Sequence, residues 1–429
     1  MQAIAELYNR IIRKVFRSGF IKNIFIYSSG ALFLKGVSFF LIPLYTAILA
    51  PSDFGVLELL TTISTVLGIL FSFGLSQVIY VEYFHLPPDG KRDIIKQLTS
   101  IYTFIALPLF AIAGLLIYYN SDTLFEQRVE PVLIILVLLY SFFTFYQNTF
   151  FALLQLVKKA LNLTVNKLVL GLLTLALNLF LVLYLRMGIA GILITNLVVV
   201  VVSLLYPLYL YLYRFGLKAT SPNPSGMVKY LKMGVPFIFS SLCFWGLSGI
   251  DRWLILYLLG EAEVGIFSVA YKFSSVFDPL VIAPILSVYT PYIFEKLAER
   301  KYKQNKLLMV LGVLLLFAFL AVASQLLARY FINERYFDSL SLIPYLVGGF
   351  AFYFLSQLLA APILFFKRSN LLLTNVALAA LVNIIFNVIF IRLYGLQGAG
   401  MAYLLSNIAW FAMSAIQNAS VINTAQKNQ

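Results

Sequence analysis

Twelve long apolar runs, separated by brief polar punctuation, constrain this chain more than any other feature. They lie at about 22–49, 53–84, 98–119, 131–156, 161–185, 189–212, 232–259, 264–294, 306–331, 338–366, 370–394 and 396–420. A helix crosses the hydrocarbon core with roughly 20 apolar residues. Runs this long, without short-range alternation, predict helices rather than barrel strands. Of the 429 residues, 62% are hydrophobic and 11% charged, against about half and a quarter in soluble domains. A water-soluble domain and a disordered chain are both excluded. The reading is an all-α polytopic membrane protein of 12 transmembrane helices. Runs two, eight and ten exceed a straight crossing, which predicts tilt, kinks or extension past the bilayer.

The net charge of +14 would suit a nucleic-acid binder, but its placement argues otherwise. Taking every second connection between runs, one set holds 23 of the 31 Lys and Arg residues, including Arg10, Arg13, Lys14, Arg17, Lys91, Arg92, Lys96, Lys158, Lys159, Arg300, Lys301, Lys367 and Arg368. The other set holds only Arg128, Arg186, Arg329, Arg335 and Arg392. This positive-inside bias places both termini in the cytoplasm. No nucleic acid is needed to explain the basic balance. Within residues 1–21, Ile4, Leu7, Ile11 and Val15 share one helical face opposite the cations, predicting an amphipathic helix on the cytoplasmic membrane surface rather than a cleavable signal peptide.

The chain also matches itself. A shift of 209 positions brings Lys158 onto Lys367, Lys159 onto Arg368, Asn166 onto Asn375, Asn178 onto Asn387 and Ala190-Gly191 onto Ala399-Gly400. A shift of 210 brings Leu49 and Gly55 onto Leu259 and Gly265. Six helices per copy mean that both enter the membrane in the same sense, giving two parallel lobes related by a pseudo-two-fold axis along the membrane normal. The expected division is an N-lobe over 22–213, a cytoplasmic linker over 214–231 rich in Pro, Ser and Gly, and a C-lobe over 232–429.

Enzyme chemistry is disfavoured. One cysteine excludes a disulfide framework, and one cysteine with one histidine excludes most metal sites. No phosphate-binding loop, metal motif or nucleophile–base set is visible, and no cofactor is expected. His85, beside Pro87 and Pro88, reads as interfacial and Cys243 as packing.

Charges inside the runs are few, and buried charge in a bilayer costs roughly 2.5–3.5 kcal/mol on insertion scales. Lys35, Glu58, Asp251, Arg252, Lys272 and Asp278 all fall in the first two helices of each copy. Lys35, Arg252 and Lys272 read as a cationic seat for an anionic group. Glu58, Asp251 and Asp278 read as counter-charges or coupling carboxylates. Internal salt bridges holding the lobes together are the bland alternative. Pro43, Pro108, Pro207, Pro236, Pro279, Pro284, Pro344 and Pro362 predict kinks within runs. The 27 Tyr and 39 Phe are expected mainly at lipid and interface.

The stretch Lys35-Gly36 through Pro43-Leu44-Tyr45-Thr46, then Leu49-Ala50-Pro51-Ser52-Asp53-Phe54-Gly55, resembles the opening of bacterial polysaccharide (Wzx-type) flippases. Asp251-Arg252, Val264-Gly265-Ile266-Phe267-Ser268 and Ala270-Tyr271-Lys272 resemble the corresponding motif of the second half. These flippases belong to the multidrug/oligosaccharidyl-lipid/polysaccharide exporter (MOP) superfamily, which includes the MATE exporters. The resemblance implies a V-shaped fold that carries an undecaprenyl-pyrophosphate-linked oligosaccharide, an O-antigen, capsule or exopolysaccharide repeat unit, from the cytoplasmic to the periplasmic leaflet of the inner membrane by alternating access. It implies membrane lipids, a coupling ion (H+ or Na+), a polysaccharide polymerase and chain-length proteins as partners. Competing readings are a drug/cation antiporter of the same superfamily, which would want an acidic cavity, and a membrane-embedded glycan polymerase or ligase, which would want a sizeable external loop.

Overall fold

Apolar runs of this length fold as helices because a bilayer offers the backbone no other hydrogen-bond partner. The computed structural model describes residues 19–126, 128–157, 159–215, 224–299 and 306–427. The N-terminal amphipathic segment expected over 1–21 therefore lies almost wholly outside the described residues. The major helices are α1 (Gly19–Ile48), α2 (Pro51–Phe71), α3 (Leu75–Glu82), α4 (Pro88–Tyr119), α5 (Pro131–Leu156), α6 (Ala160–Leu177) and α7 (Gly188–Phe215). The second half of the chain supplies α8 (Pro224–Leu259), α9 (Glu261–Ser275), α10 (Ala283–Ala298), α11 (Lys306–Phe331), α12 (Ile343–Phe365), α13 (Ser369–Tyr394) and α14 (Leu396–Lys427). Among the described residues, eleven helical stretches are long and apolar enough to cross a membrane, and α1 adds a shorter apolar stretch, Leu32–Ile48.

Large apolar side chains such as Leu107, Leu315 and Phe319 stand exposed on the outer faces. In water this would be untenable; in a bilayer these faces meet hydrocarbon. Not all aromatics go there. Tyr102 is buried, stacks on Phe145 at 3.7 Å between ring centroids, and donates to the Phe142 carbonyl at 2.9 Å. The expectation of a mainly peripheral aromatic set therefore understates the core.

Two runs read as continuous are interrupted. Run two divides into α2 and α3 at Phe73 and Gly74, whose φ values are 50° and 66°. A Cβ on Gly74 or on Gly234 of α8 would penetrate the other segment's backbone, so glycine is required for this crossing as well as for the turn. Run eight divides into α9 and α10 through a π-helical turn, Asp278–Ile282, with Pro279 inside it and Pro284 in the first turn of α10. Those two prolines thus mark a break between helices, whereas Pro43, Pro108, Pro207, Pro236 and Pro362 lie within helices. Run ten starts with a 3-10 segment, Glu334–Ser341, and becomes α-helical only at Ile343.

The expected linker is shorter than 214–231. Helix α7 continues to Phe215 and α8 begins at Pro224. Proline in a first helical turn loses no hydrogen bond that the helix would otherwise make, so Pro224 starts a helix where the composition suggested a loop.

The internal match has a geometric counterpart. Val157 N–H donates to Leu153 O and Lys159 N–H to Leu154 O, at 2.9 Å each; 209 residues later, Phe366 N–H donates to Pro362 O at 3.1 Å and Arg368 N–H to Ile363 O at 3.0 Å. Matching asparagines also serve matching ends. Asn178 accepts from Tyr45 of α1 at 2.7 Å, and Asn387 donates to Asp251 of α8 at 2.6 Å.

The two halves share one core. Phe54, Leu57 and Leu60 of α2 pack in a continuous buried cluster with Phe267, Val269 and Phe273 of α9 and with Leu346 and Phe350 of α12. Helices α2 and α9 cross where Gly55 meets Gly265, each backbone filling the space a side chain would need on the other. These are the glycines that the 210-residue shift superposes. At the same end of the bundle, Tyr336 donates to the Leu49 carbonyl at 3.1 Å and Glu126 N–H donates to Glu261 at 2.9 Å. The end where α1 turns into α2 is closed.

Candidate functional site

Two turns below that closed end, Glu58 projects from α2 into the seam between the halves. It is 5% exposed, and no lone carboxylate is tolerated at that depth. Lys272 of α9 reaches its Oε1 at 2.8 Å, and Nε of Arg252 on α8 lies 3.6 Å from Oε2. One acid from the first half thus answers two bases from the second.

The arginine is held by more than this pair. Its Nη1 donates to the Ser248 carbonyl one turn earlier, at 2.8 Å. The guanidinium lies over the Tyr271 ring at 4.7 Å and over Phe267 at 5.9 Å, where the negative ring face steadies a cation. Nε has no hydrogen-bond partner, because 3.6 Å is too long for one. Nε therefore faces the Glu58 carboxylate at ion-pair distance.

Lys272 divides two adjoining cavities. One, about 200 Å³, is lined by Lys35, Ser38, Phe39, Arg252, Tyr271, Lys272 and Ser275. The other, about 160 Å³, is lined by Tyr45, Glu58, Thr61, Thr174, Asn196 and Lys272. The three cations singled out from sequence therefore line one cavity, between α1, α8 and α9. Lys35 is exposed to it, and Lys272 is 35% exposed in its side chain.

The three carboxylates separate. Glu58 lines the smaller, adjoining cavity beside Lys272. Asp251 does not: adjacent side chains on a helix diverge by about 100°, and Asp251 is fully buried on the far side of α8, with Asn387 donating to its Oδ1 at 2.6 Å. Its Oδ2 and the Oδ1 of Asn387 have no hydrogen-bond partner. Asp278 sits in the π-helical turn between α9 and α10, coupled electrostatically to Lys35. His85 ends an exposed 3-10 turn, and Cys243 packs beside a small cluster around Trp410.

A third, larger cavity holds none of the residues singled out from the sequence. It measures about 560 Å³ and opens below the cationic cavity, bounded by α2, α3, α5, α6 and α8. Its wall mixes apolar side chains with hydroxyls and amides: Thr65, Ser72, Tyr80, Thr144, Asn148 and Gln155 are among the lining groups. The signal was present in α5, where Tyr140, Thr144, Asn148, Phe151 and Gln155 recur at spacings of three and four and so share one helix face.

A family model described as "polysaccharide biosynthesis protein" matches residues 20–297, nearly two thirds of the chain. No curated protein sequence matches. Among solved structures, the fold is similar to that of the lipid II flippase MurJ in an inward closed conformation, with TM-score 0.69 and 15% identity over 93% of this chain and 87% of that one. It is also similar to a multidrug resistance MATE family transporter of the MOP superfamily in an inward-facing conformation, with TM-score 0.66 and 16% identity over 92% and 96%. A MOP superfamily transporter from Pyrococcus furiosus, described as having a binding pocket of reverse polarity, gives TM-score 0.55 and 16% identity over 93% and 96%. At these identities the likeness establishes a multi-pass membrane protein with the MATE/MOP fold.

Proposed function

This chain belongs to the polysaccharide biosynthesis protein family, and from that premise we propose that it flips an undecaprenyl-pyrophosphate-linked oligosaccharide from the cytoplasmic to the periplasmic leaflet of a bacterial inner membrane. The family is one of transporters with the MOP fold, and the chain is not an enzyme. The observation that carries the reading is the cavity onto which Lys35, Arg252 and Lys272 converge, with Glu58 of the adjoining cavity paired to Arg252 and Lys272. A pyrophosphate needs several cations in a place of low dielectric, where each contact outweighs its value in water. Arg252 and Lys272 would both exchange Glu58 for phosphate. The lipid tail stays in the bilayer beside α1.

In this reading α1–α7 and α8–α14 are the two lobes, and the closed end with Leu49 and Gly260 faces the periplasm. Alternating access exchanges that closure for one at the opposite end. The structural likeness to MATE transporters alone would equally suit a drug/cation antiporter. The cation majority at the cavity favours an anionic cargo.

Replacing Lys35, Arg252 or Lys272 with Ala should each lower delivery of surface polysaccharide by about tenfold or more, since a charge-assisted contact contributes roughly 1.5–3 kcal/mol. Surface glycan is measured by gel, with the protein quantified in the membrane fraction. Normal glycan in all three variants would reject the cationic seat.

Asp251 supports a coupling role for H+ or Na+. It is an enclosed carboxylate whose Oδ1 accepts from Asn387 and whose Oδ2 has no hydrogen-bond partner. Transport by Asp251→Asn in proteoliposomes is expected to lose its response to an imposed proton or sodium gradient while cargo binding persists. A variant that still responds fully removes Asp251 from coupling.

A further inference from the structure

The 560 Å³ cavity below the cations has a chemistry of its own. Volumes of about 300–1,000 Å³ are those of ligand pockets. Polar side chains at this depth in a bilayer belong beside water or a ligand rather than lipid. Thr65, Tyr80, Asn148 and Gln155 are all exposed to it. Its lining contains no carboxylate and a single cation, Lys167.

We propose that this cavity is a separate subsite for the uncharged sugar rings of the cargo, built by α2, α3 and α5, and we rest this on the flippase reading above. Amides and hydroxyls each donate and accept, which matches the hydroxyls of a sugar ring as a charged lining would not. Tyr80 and Gln155 already hold each other at 2.8 Å across α3 and α5, fixing an amide at the rim. Thr144 and Thr65 spend their protons on carbonyls one turn back, at 2.7 and 2.9 Å, and so present oxygens as acceptors. Tyr140, Phe151 and Phe237 interleave with these groups. Their negative ring faces suit the slightly positive C–H faces of a pyranose.

Position agrees with chemistry. Thr65 is two turns along α2 from Glu58, roughly 10 Å at 1.5 Å per residue. A cargo with its pyrophosphate at Arg252 and Lys272 would place its sugars here, against the first half of the chain.

The test uses the full-length protein in lipid nanodiscs with Cys243→Ser as background. Thr65→Cys and Asn148→Cys each report on the sugar cavity, and Ser38→Cys reports on the cationic one. Thiol labelling is timed with two probes: neutral oligosaccharide released by mild acid from the source organism's surface polysaccharide, and sugar-free undecaprenyl pyrophosphate. At a sugar concentration about twice its Kd, labelling at both sugar-cavity cysteines should fall to roughly a third, and Tyr80→Phe with Gln155→Ala should abolish that protection. The sugar-free lipid should protect Ser38→Cys regardless of those two substitutions. If the lipid protects Ser38→Cys while sugar protects neither cavity cysteine, the sugar subsite is overturned and the flippase reading stands. If neither probe protects any cysteine, both are overturned.

Discussion

Gly55→Ala is expected to unseat the closed end of the protein. The added Cβ would fall within the van der Waals envelope of the Glu261 carbonyl and 3.2 Å from the Gly265 nitrogen. Backbone cannot rotate aside as a side chain can, so α2 and α9 must part by about 1 Å or more to regain ordinary contact. Overpacking of this kind costs about 1–3 kcal/mol, and here the cost falls on one state alone. The closed population should drop by roughly tenfold to a hundredfold. Gly265→Ala should do the same, since its Cβ would meet the Pro51 carbonyl. Spin labels at Ser52→Cys and Glu263→Cys would read the change as a longer distance across the seam. Gly36→Ala and Gly312→Ala are the controls, because nothing lies within 4 Å of an added Cβ there. An unchanged distance in both seam variants would show that the glycine crossing does not set the closure.

Glu58→Gln carries the second large effect. It keeps the shape of the side chain and removes the one charge facing both Arg252 and Lys272. Breaking a buried pair costs about 3–5 kcal/mol, because a charge is left unmatched; Lys272, a third exposed, should keep the loss near the lower figure. The melting temperature of the detergent-solubilised protein should fall clearly. Inorganic pyrophosphate should then restore most of it, and should stabilise Glu58→Gln more than the unmodified protein, since an anion would occupy the vacated role. A variant that melts normally, or one that pyrophosphate leaves unmoved, would argue that the cations hold no anion.

How far the sequence spoke depends on the interaction concerned. Membrane helices are legible because their requirement is additive: enough consecutive apolar residues, whatever their order. The repeat superposed Gly55 on Gly265, but equivalence is not contact, and that the two meet is visible only in the backbone. Nor was the split at Phe73-Gly74 legible, because its cause is Gly234, 160 residues away and on another helix. Grouping of the charges followed the same rule. Sequence placed six of them in four runs, but only helix rotation decides that Arg252 faces Glu58 while its neighbour Asp251 faces Asn387. The sugar-sized cavity shows the opposite failure. Its stripe on α5 recurs at helical spacing in the sequence, but hydroxyls and amides carry no charge to set them apart within an apolar run.

The polarity of the seam has a directional consequence. Among the described residues, every ion pair joining the two halves takes its acid from the first and its base from the second: Glu58 with Arg252 and Lys272, and Glu82 with Lys229 at 3.3 Å. Pulling the halves apart therefore sorts the pairs, carboxylates departing one way and ammonium and guanidinium groups the other. An anion caught between them at that moment is kept by two cations of the α8–α9 wall and faces Glu58 on the other, where Lys35 of α1 is the one cation of the seat.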